Sequence, residues 1–264
     1  MIARVLTVAG SDSGGGAGIE ADLKTITALG GYGCTAITGL TAQNTLGVRD
    51  VHPVPPAFVA LAMRCVIEDI GVDAIKLGML TNEGIIRAVA QTLPEGVPMV
   101  LDPVMVATSG AVLLPDEAIA ALIETLIPRA ALITPNLPEA AKITGLPVST
   151  QAERLAAGQR LLEMGAKAAL IKGGHGTGAA LTDLLVMPDG IVEITLQRIE
   201  SRNTHGTGCT MSSAIATSLA QGLDLEASVR RARDYLQAAI ATAPGLGAGH
   251  GPVNHLVSIE AVRL

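Results

Sequence analysis

Short apolar runs of strand length alternate with segments of helical period along this chain, and no other feature restricts its fold as strongly. Val5–Ala9 reads as a strand, and Ala17–Leu29 then sets Ile19, Leu23, Ile26 and Leu29 on one helical face. Cys34–Leu40, Ala74–Leu77, Met99–Leu101, Ala131–Thr134 and Ala168–Lys172 continue the strands. Pro56–Ile70, Glu83–Leu93, Pro115–Leu126, a helix begun by Glu139–Thr144, and Glu153–Met164 supply the helices. This alternation predicts an α/β fold, a mostly parallel sheet with helices on both faces. The rhythm breaks once. Gly178–Leu185 and Ile191–Leu196 flank the turn Met187-Pro-Asp-Gly190, which predicts a small antiparallel hairpin late in the chain. Two helices follow, Thr207–Gln221 and Glu226–Thr242, then an irregular glycine-rich stretch, Pro244–Pro252. No repeat or linker divides residues 1–264, which read as one domain.

Composition removes several functions. Tyr32, Phe58 and Tyr235 are the only three aromatic residues, too few for a base-stacking platform. A net charge of −6 removes the basic footprint of a nucleic-acid binder, so no nucleic-acid partner is expected. With 49% hydrophobic residues the chain has material for a large core, yet its long uncharged stretches are broken by Gly, Pro and polar residues. None gives about 18 consecutive apolar residues, so no membrane partner is expected. The first residues lack the apolar region of a signal peptide. Cys34, Cys65 and Cys209 are odd in number and far apart, which fits a reducing cytoplasm better than a disulfide framework.

Parallel sheets bind ligands beyond the carboxyl ends of their strands. The polar signals gather at those ends: Gly10-Ser-Asp, Gly78-Met79, Asp102-Pro, Thr134-Pro-Asn136 and Lys172-Gly-Gly. The strongest motif is Asn203-Thr-His-Gly-Thr-Gly-Cys-Thr210, which opens an uncharged helix. Gly206 and Gly208 let backbone approach a ligand, and a helix start turns free N–H groups and positive dipole toward it. That arrangement suits a transferring phosphoryl group. Cys209 sits where the dipole lowers a thiol pKa; a buried, inert cysteine in a glycine turn is the alternative. The segment Gly10–Gly18 is neither a Walker loop nor a dinucleotide fingerprint. Asp102 and Glu139, on neighbouring strand ends, suit a magnesium ion that keeps waters and phosphates as its other ligands. Glu139 equally reads as the third residue of a helix capped by Asn136. Lys172 is placed to reach a phosphate, whereas Lys76 reads as an edge or snorkelling lysine.

The segments Gly-Ser-Asp-Ser-Gly-Gly-Gly-Ala-Gly-Ile-Glu-Ala-Asp-Leu-Lys (10–24), Thr-Ala-Gln-Asn-Thr (41–45), Lys-Leu-Gly-Met-Leu (76–80) and Leu-Asp-Pro-Val-Met-Val-Ala (101–107) belong together. So do Ile-Thr-Pro-Asn-Leu-Pro-Glu-Ala (133–140), Lys-Gly-Gly-His (172–175) and the 203–210 motif. In combination, and over nearly the whole chain, they closely resemble the hydroxymethylpyrimidine/phosphomethylpyrimidine kinases of the ribokinase-like superfamily. The resemblance implies a ribokinase-like fold and two ATP- and Mg2+-dependent phosphorylations in thiamine biosynthesis. The first acts on 4-amino-5-hydroxymethyl-2-methylpyrimidine, and the second converts its monophosphate to the diphosphate. It implies an anion hole from Gly206, Thr207, Gly208 and Cys209, with Cys209 standing where most superfamily members carry an aspartate base. Gly10, Asp22, Gln43, Met79 and Val106 match the pyrimidine pocket. Asn136, Glu139, Lys172 and Thr207 match the ATP side, and Asp102 and Glu139 the magnesium positions. A cytoplasmic homodimer is implied as well. A pyridoxine or pyridoxal kinase of the same fold is the nearest rival, and a non-catalytic pyrimidine sensor is the rival of another class. Ala107–Leu114 and the glycine-rich tail are candidate lids.

Overall fold

Alternate residues along the central strands feed two separate cores, and this divides the helices between the faces of the sheet. The computed structural model describes residues 1–107, 109–175 and 180–257. Leu6, Val8, Ile75, Leu77, Met99, Leu101 and Ile133 enter one core, while Val5, Ala74, Val100 and Leu132 enter the other. Strands buried on both faces read as continuous apolar runs, which is why they were legible from the sequence.

The chain runs β1 (Arg4–Asp12), α1 (Gly18–Ala28), β2 (Tyr32–Asn44), β3 (Gly47–Pro53), α2 (Pro56–Cys65), β4 (Ala74–Leu77), α3 (Glu83–Thr92), β5 (Met99–Leu101) and α4 (Asp116–Thr125). It continues with β6 (Leu132–Ile133), α5 (Leu137–Thr144), α6 (Gln151–Glu163), β7 (Ala169–Ile171), β8 (Ala180–Met187), β9 (Gly190–Gln197), α7 (Thr207–Ala220) and α8 (Leu225–Ala241). Among the described residues the sheet order is β3-β2-β1-β4-β5-β6-β7-β8-β9. Neighbours from β2 to β7 are parallel, and β3, β8 and β9 are antiparallel to the strands they join. Helices α2–α6 supply the first core and α1, α7 and α8 the second. Right-handed crossovers require this split. The chain moves from β1 to β2 in one direction and from β4 to β7 in the other, so their helices must lie on opposite faces. Order therefore reverses between β1 and β4, which opens a crevice at their carboxyl ends.

Several boundaries differ from the sequence expectation. The helix expected over Pro56–Ile70 is α-helical only to Cys65 and finishes in a π turn, Val66–Ile70. The late hairpin is present, but its first strand begins at Ala180; Gly178 lies outside the described residues. A second hairpin, β2–β3, was not foreseen. Gly47–Pro53 carries Arg49, Asp50 and His52 and has no apolar alternation to mark it. Among the described residues no helix is long and apolar enough to cross a membrane.

The reading of Lys76 as a snorkelling or edge residue is wrong. β4 is a central strand, and Lys76 is 0% exposed. Its Nζ donates to both oxygens of Asp22 at 2.8 Å, and Ser213 and Thr7 hydroxyls donate to the same carboxylate at 2.7 and 2.5 Å. One cluster thereby ties β1 and β4 to α1 and α7. Burial alone pulls the ammonium pKa down, but Asp22, with Cys209 and Asp102 nearby, outweighs it and leaves the lysine firmly charged. Removing one member of such a pair strands the other charge. Lys76→Met should cost about 3–5 kcal/mol of unfolding free energy in urea titrations. Combining it with Asp22→Leu should recover most of that loss. A single variant as stable as the parent would show that the pair does not hold this layer.

Candidate active site

A cleft of about 580 Å³ opens at the crevice between β1 and β4, beyond the carboxyl ends of the strands. Gly10, Gln43, Met79, Asp102, Val106, Asn136, Glu139, Lys172, Gly206, Thr207, Gly208 and Cys209 all line it. Residues up to 199 positions apart in the chain thus meet because parallel strands end on one edge. Asp22 is the exception, and its expected place in the pocket is corrected. α1 turns it into the sheet, where Thr7, Lys76 and Ser213 occupy its oxygens; it is 0% exposed and absent from the lining.

One end of the cleft is built for anions. α7 follows Gly206, whose φ of +80° is left-handed and favours glycine. A Cβ there would also stand 1.8 Å from the Gly16 carbonyl oxygen, so the 10–18 and 203–210 loops meet backbone to backbone. The first amides of α7 lack intrahelical acceptors and aim positive dipole into the cleft. Opposite them, Lys172 Nζ donates to Asp102 Oδ1 at 2.9 Å. Thr134 Oγ1 donates to Oδ1 at 3.2 Å, and Ser212 Oγ to Oδ2 at 3.4 Å. Behind Lys172, the Gly173 N–H donates to Asp183 at 2.7 Å, and Arg233 Nε lies 2.9 Å from the same buried carboxylate. Sequence reading did not single out Ser212, Asp183 or Arg233, whose partners are remote in the chain, and it marked Thr134 only as part of a strand-end signal.

The capping reading of Glu139 holds. Its Oε2 accepts the Asn136 N–H at 2.8 Å while Asn136 Oδ1 accepts the Glu139 N–H at 2.9 Å, a complete capping box. The carboxyl is nevertheless 6% exposed and lines the cleft. Burial pushes its pKa up to about 7, Lys172 pulls it down and Asp102 pushes it up again. Lys172 is held above the ordinary lysine range: burial lowers it, but Asp102 and Glu139 outweigh burial. Two carboxylates thus face one ammonium, leaving an uncompensated negative charge when both ionise. Among the described residues no group of three or more His, Cys, Asp or Glu side chains is arranged to hold a metal. Two hard carboxylates with spare negative charge still fit Mg2+, which takes few protein ligands and fills its shell with water and phosphate.

Cys209 departs from expectation. The helix dipole favours a thiolate, yet burial pushes the thiol up to about 11, and the Asp22 and Asp102 charges push the same way. Lys76 and the Gly18 N–H pull it back only in part. Burial wins because an ion loses more solvation there than one helix end returns.

The other end of the cleft is apolar. The Met79 methyl fills the space where a Cβ on residue 10 would lie, at 2.1 Å, which is why Gly10 is bare. Val106 stands half-exposed on the rim. None of Tyr32, Phe58 and Tyr235 reaches the lining. Asp12 and His205, to which the sequence motifs containing them assigned no role, do, and they join Gln43 in a polar chain.

The model of the phosphomethylpyrimidine kinase family matches residues 12–254. The chain is 50% identical to a hydroxymethylpyrimidine/phosphomethylpyrimidine kinase of Rhizobium meliloti, covering 97% of each protein. It is 51% identical to the thiamine biosynthesis bifunctional protein ThiED of Geobacter sulfurreducens over 98% of this chain, but spans only 53% of that protein. Among solved structures it is similar to a Staphylococcus aureus pyridoxal kinase in complex with AMP-PCP and pyridoxal. The TM-score is 0.91 and the identity 31%, with 98% of this chain and 96% of that one covered.

The Cys209 environment makes a direct prediction. At pH 8 only about one thiol in a thousand should be ionised. Alkylation of Cys209 by iodoacetamide, followed by peptide mass spectrometry, should be slow and still climbing at pH 10. A plateau below pH 9 would overturn the assignment of a neutral thiol.

Proposed function

This chain belongs to the phosphomethylpyrimidine kinase family, and from that premise we propose that it uses ATP to phosphorylate 4-amino-5-hydroxymethyl-2-methylpyrimidine, then phosphorylates the monophosphate, in thiamine biosynthesis. The observation that carries the reading is the start of α7, Gly206–Cys209, facing Lys172 and Asp102 across the cleft. Phosphoryl transfer needs little covalent help from protein; it needs in-line positioning and compensation of spreading negative charge. The amides of Gly206–Cys209 and the Lys172 ammonium supply that compensation. Asn136, Glu139, Lys172 and Thr207 lie on the nucleotide side. Gly10, Gln43, Met79 and Val106 hold the pyrimidine. Mg2+, held by Asp102 and Glu139, would neutralise phosphate charge.

In the first step the substrate hydroxyl oxygen bonds to the γ-phosphorus, the bond to ADP breaks with its electron pair leaving on the ADP oxygen, and the hydroxyl proton passes to a phosphate oxygen or to water. A thiol with a pKa of about 11 is mostly protonated at neutral pH. We therefore assign Cys209 to orienting the hydroxyl rather than to taking its proton. In the second step the acceptor is a phosphate oxygen already carrying charge, so the same site needs no base. The reading also carries a cytoplasmic homodimer, as the family resemblance implies.

Purified protein with Mg-ATP should release ADP when given the pyrimidine alcohol or its monophosphate, and more slowly with pyridoxal or the thiazole alcohol. Absence of turnover on both pyrimidine compounds would sink the proposal.

A pH effect follows with a definite sign. Glu139 is raised to about 7, so below that pH it is increasingly protonated and loses its power to bind a cation. The apparent KM for Mg2+ should rise by up to about tenfold per pH unit below 7. In Glu139→Gln the KM should be high and nearly independent of pH between 5.5 and 8. An equally steep profile in that variant would assign the titration elsewhere.

A further inference from the structure

The polar chain at the apolar end of the cleft contains a donor–acceptor conflict, and its resolution assigns a role to two further residues. His205 Nε2 lies 2.8 Å from Asp12 Oδ2 and 3.0 Å from the side-chain nitrogen of Gln43. Asp12 also accepts N–H bonds from Gly14 at 2.8 Å, Gly16 at 3.0 Å and Ala17 at 2.9 Å. A carboxylate with three amide donors is ionised and can only accept. His205 Nε2 must then carry the hydrogen and give it to Asp12. A nitrogen that donates cannot also accept from an amide NH2. The favourable arrangement turns the Gln43 amide over, so that Oε1 meets the imidazole edge and NH2 lies on the far side. Gln43 lines the cleft, and among the described residues its other amide atom has no protein partner.

The surroundings hold this chain rigidly. His205 N–H donates to the Gly251 carbonyl at 3.1 Å. A Cβ on residue 16 would stand 2.6 Å from His205 Cδ2, so the ring packs on bare backbone. Ser13 Oγ donates to the Gln43 carbonyl at 2.7 Å, and Gln43 N–H donates back at 2.9 Å. The tail grips the adjoining turn, with His250 N–H on the Thr45 carbonyl at 2.9 Å and Gly249 N–H on Thr45 Oγ1 at 3.3 Å. The glycine-rich tail, unused by phosphoryl transfer, closes this clamp.

We propose that Asp12 and His205 are positioning residues that fix the polarity of the Gln43 amide, presenting its NH2 to the cleft so that the site selects a ring with a hydrogen-bond acceptor on that edge. The proposal rests on the pyrimidine reading above, since a 4-aminopyrimidine carries ring nitrogens that accept. It predicts a binding effect with little change in chemistry. Losing the oriented donor should raise KM for the pyrimidine alcohol about tenfold, the size expected for one buried hydrogen bond.

The test joins kinetics to a spectrum. His205→Asn, Asp12→Asn and Gln43→Leu should each raise that KM about tenfold, with kcat and the KM for ATP within about twofold. The double variant His205→Asn/Gln43→Leu should be no worse than Gln43→Leu alone. In 15N-histidine spectra of the unmodified protein, His205 should show a protonated Nε2. A bare Nε2, multiplying effects in the double variant, or a fall in kcat at unchanged KM would each overturn the proposal. If Asp12→Asn unfolds, His205→Asn and the spectrum still decide it. Absence of turnover on the pyrimidine alcohol would instead be a failure of the proposed function, and the spectrum would still report the histidine.

Discussion

A lysine with no solvent contact sits in the middle of the sheet, and the arrangement of the cleft depends on what neutralises it. Lys76 and Asp22 are both fully buried and share two short hydrogen bonds. Burial of either charge alone is prohibitive, so α1, which packs on β1, must hold Asp22 within reach of Lys76 on the neighbouring strand β4. Ser213, one turn after Cys209, donates to the same carboxylate and sets the rotation of α7. The helix whose first amides face the cleft is therefore oriented by an ion pair that lies outside the cleft lining. A purely apolar contact tolerates sliding; a bidentate pair with two added hydroxyl donors does not.

Small side chains make the second contribution. The cleft is closed by loops that approach at backbone distance, as where Gly206 meets Gly16. That contact brings Asp12 and its amides beside His205. The proposed substrate is an aromatic ring, yet no Phe or Tyr lines the pocket. Met79, Val106 and bare backbone supply the apolar wall, and in the proposed reading polar recognition falls to the side chain of Gln43. A pocket of this kind discriminates by hydrogen bonds more than by stacking, because unpaired polar groups are costly in a desolvated site.

Much of this was legible beforehand. Val5–Ala9, Ala74–Leu77 and Met99–Leu101 are continuous apolar runs because both faces are covered, and a run of that kind survives any tertiary context. The strand-end signals converged as expected, since parallel topology gathers carboxyl ends on one edge. The β2–β3 hairpin was hidden because Arg49, Asp50 and His52 are exposed at the sheet edge, where pattern carries little information. Asp22 was assigned to the pocket by resemblance, but the helix face it occupies points into the sheet.

The sequence by itself determined the α/β class, the extent of most central strands and the strand ends at which the site lies, and the family resemblance added most of the individual site residues. The class and the strand ends follow from local periodicity and from glycine and turn chemistry, which depend on neighbours in the chain. Tertiary structure alone decided the charge states. Lys76 became an internal cation instead of a surface one, Cys209 a neutral thiol instead of a thiolate, and Glu139 a carboxyl titrating near 7. It also decided that Asp12 and His205 would meet across 193 positions. A pKa is set by burial and by charges brought near through folding, and the order of residues states neither.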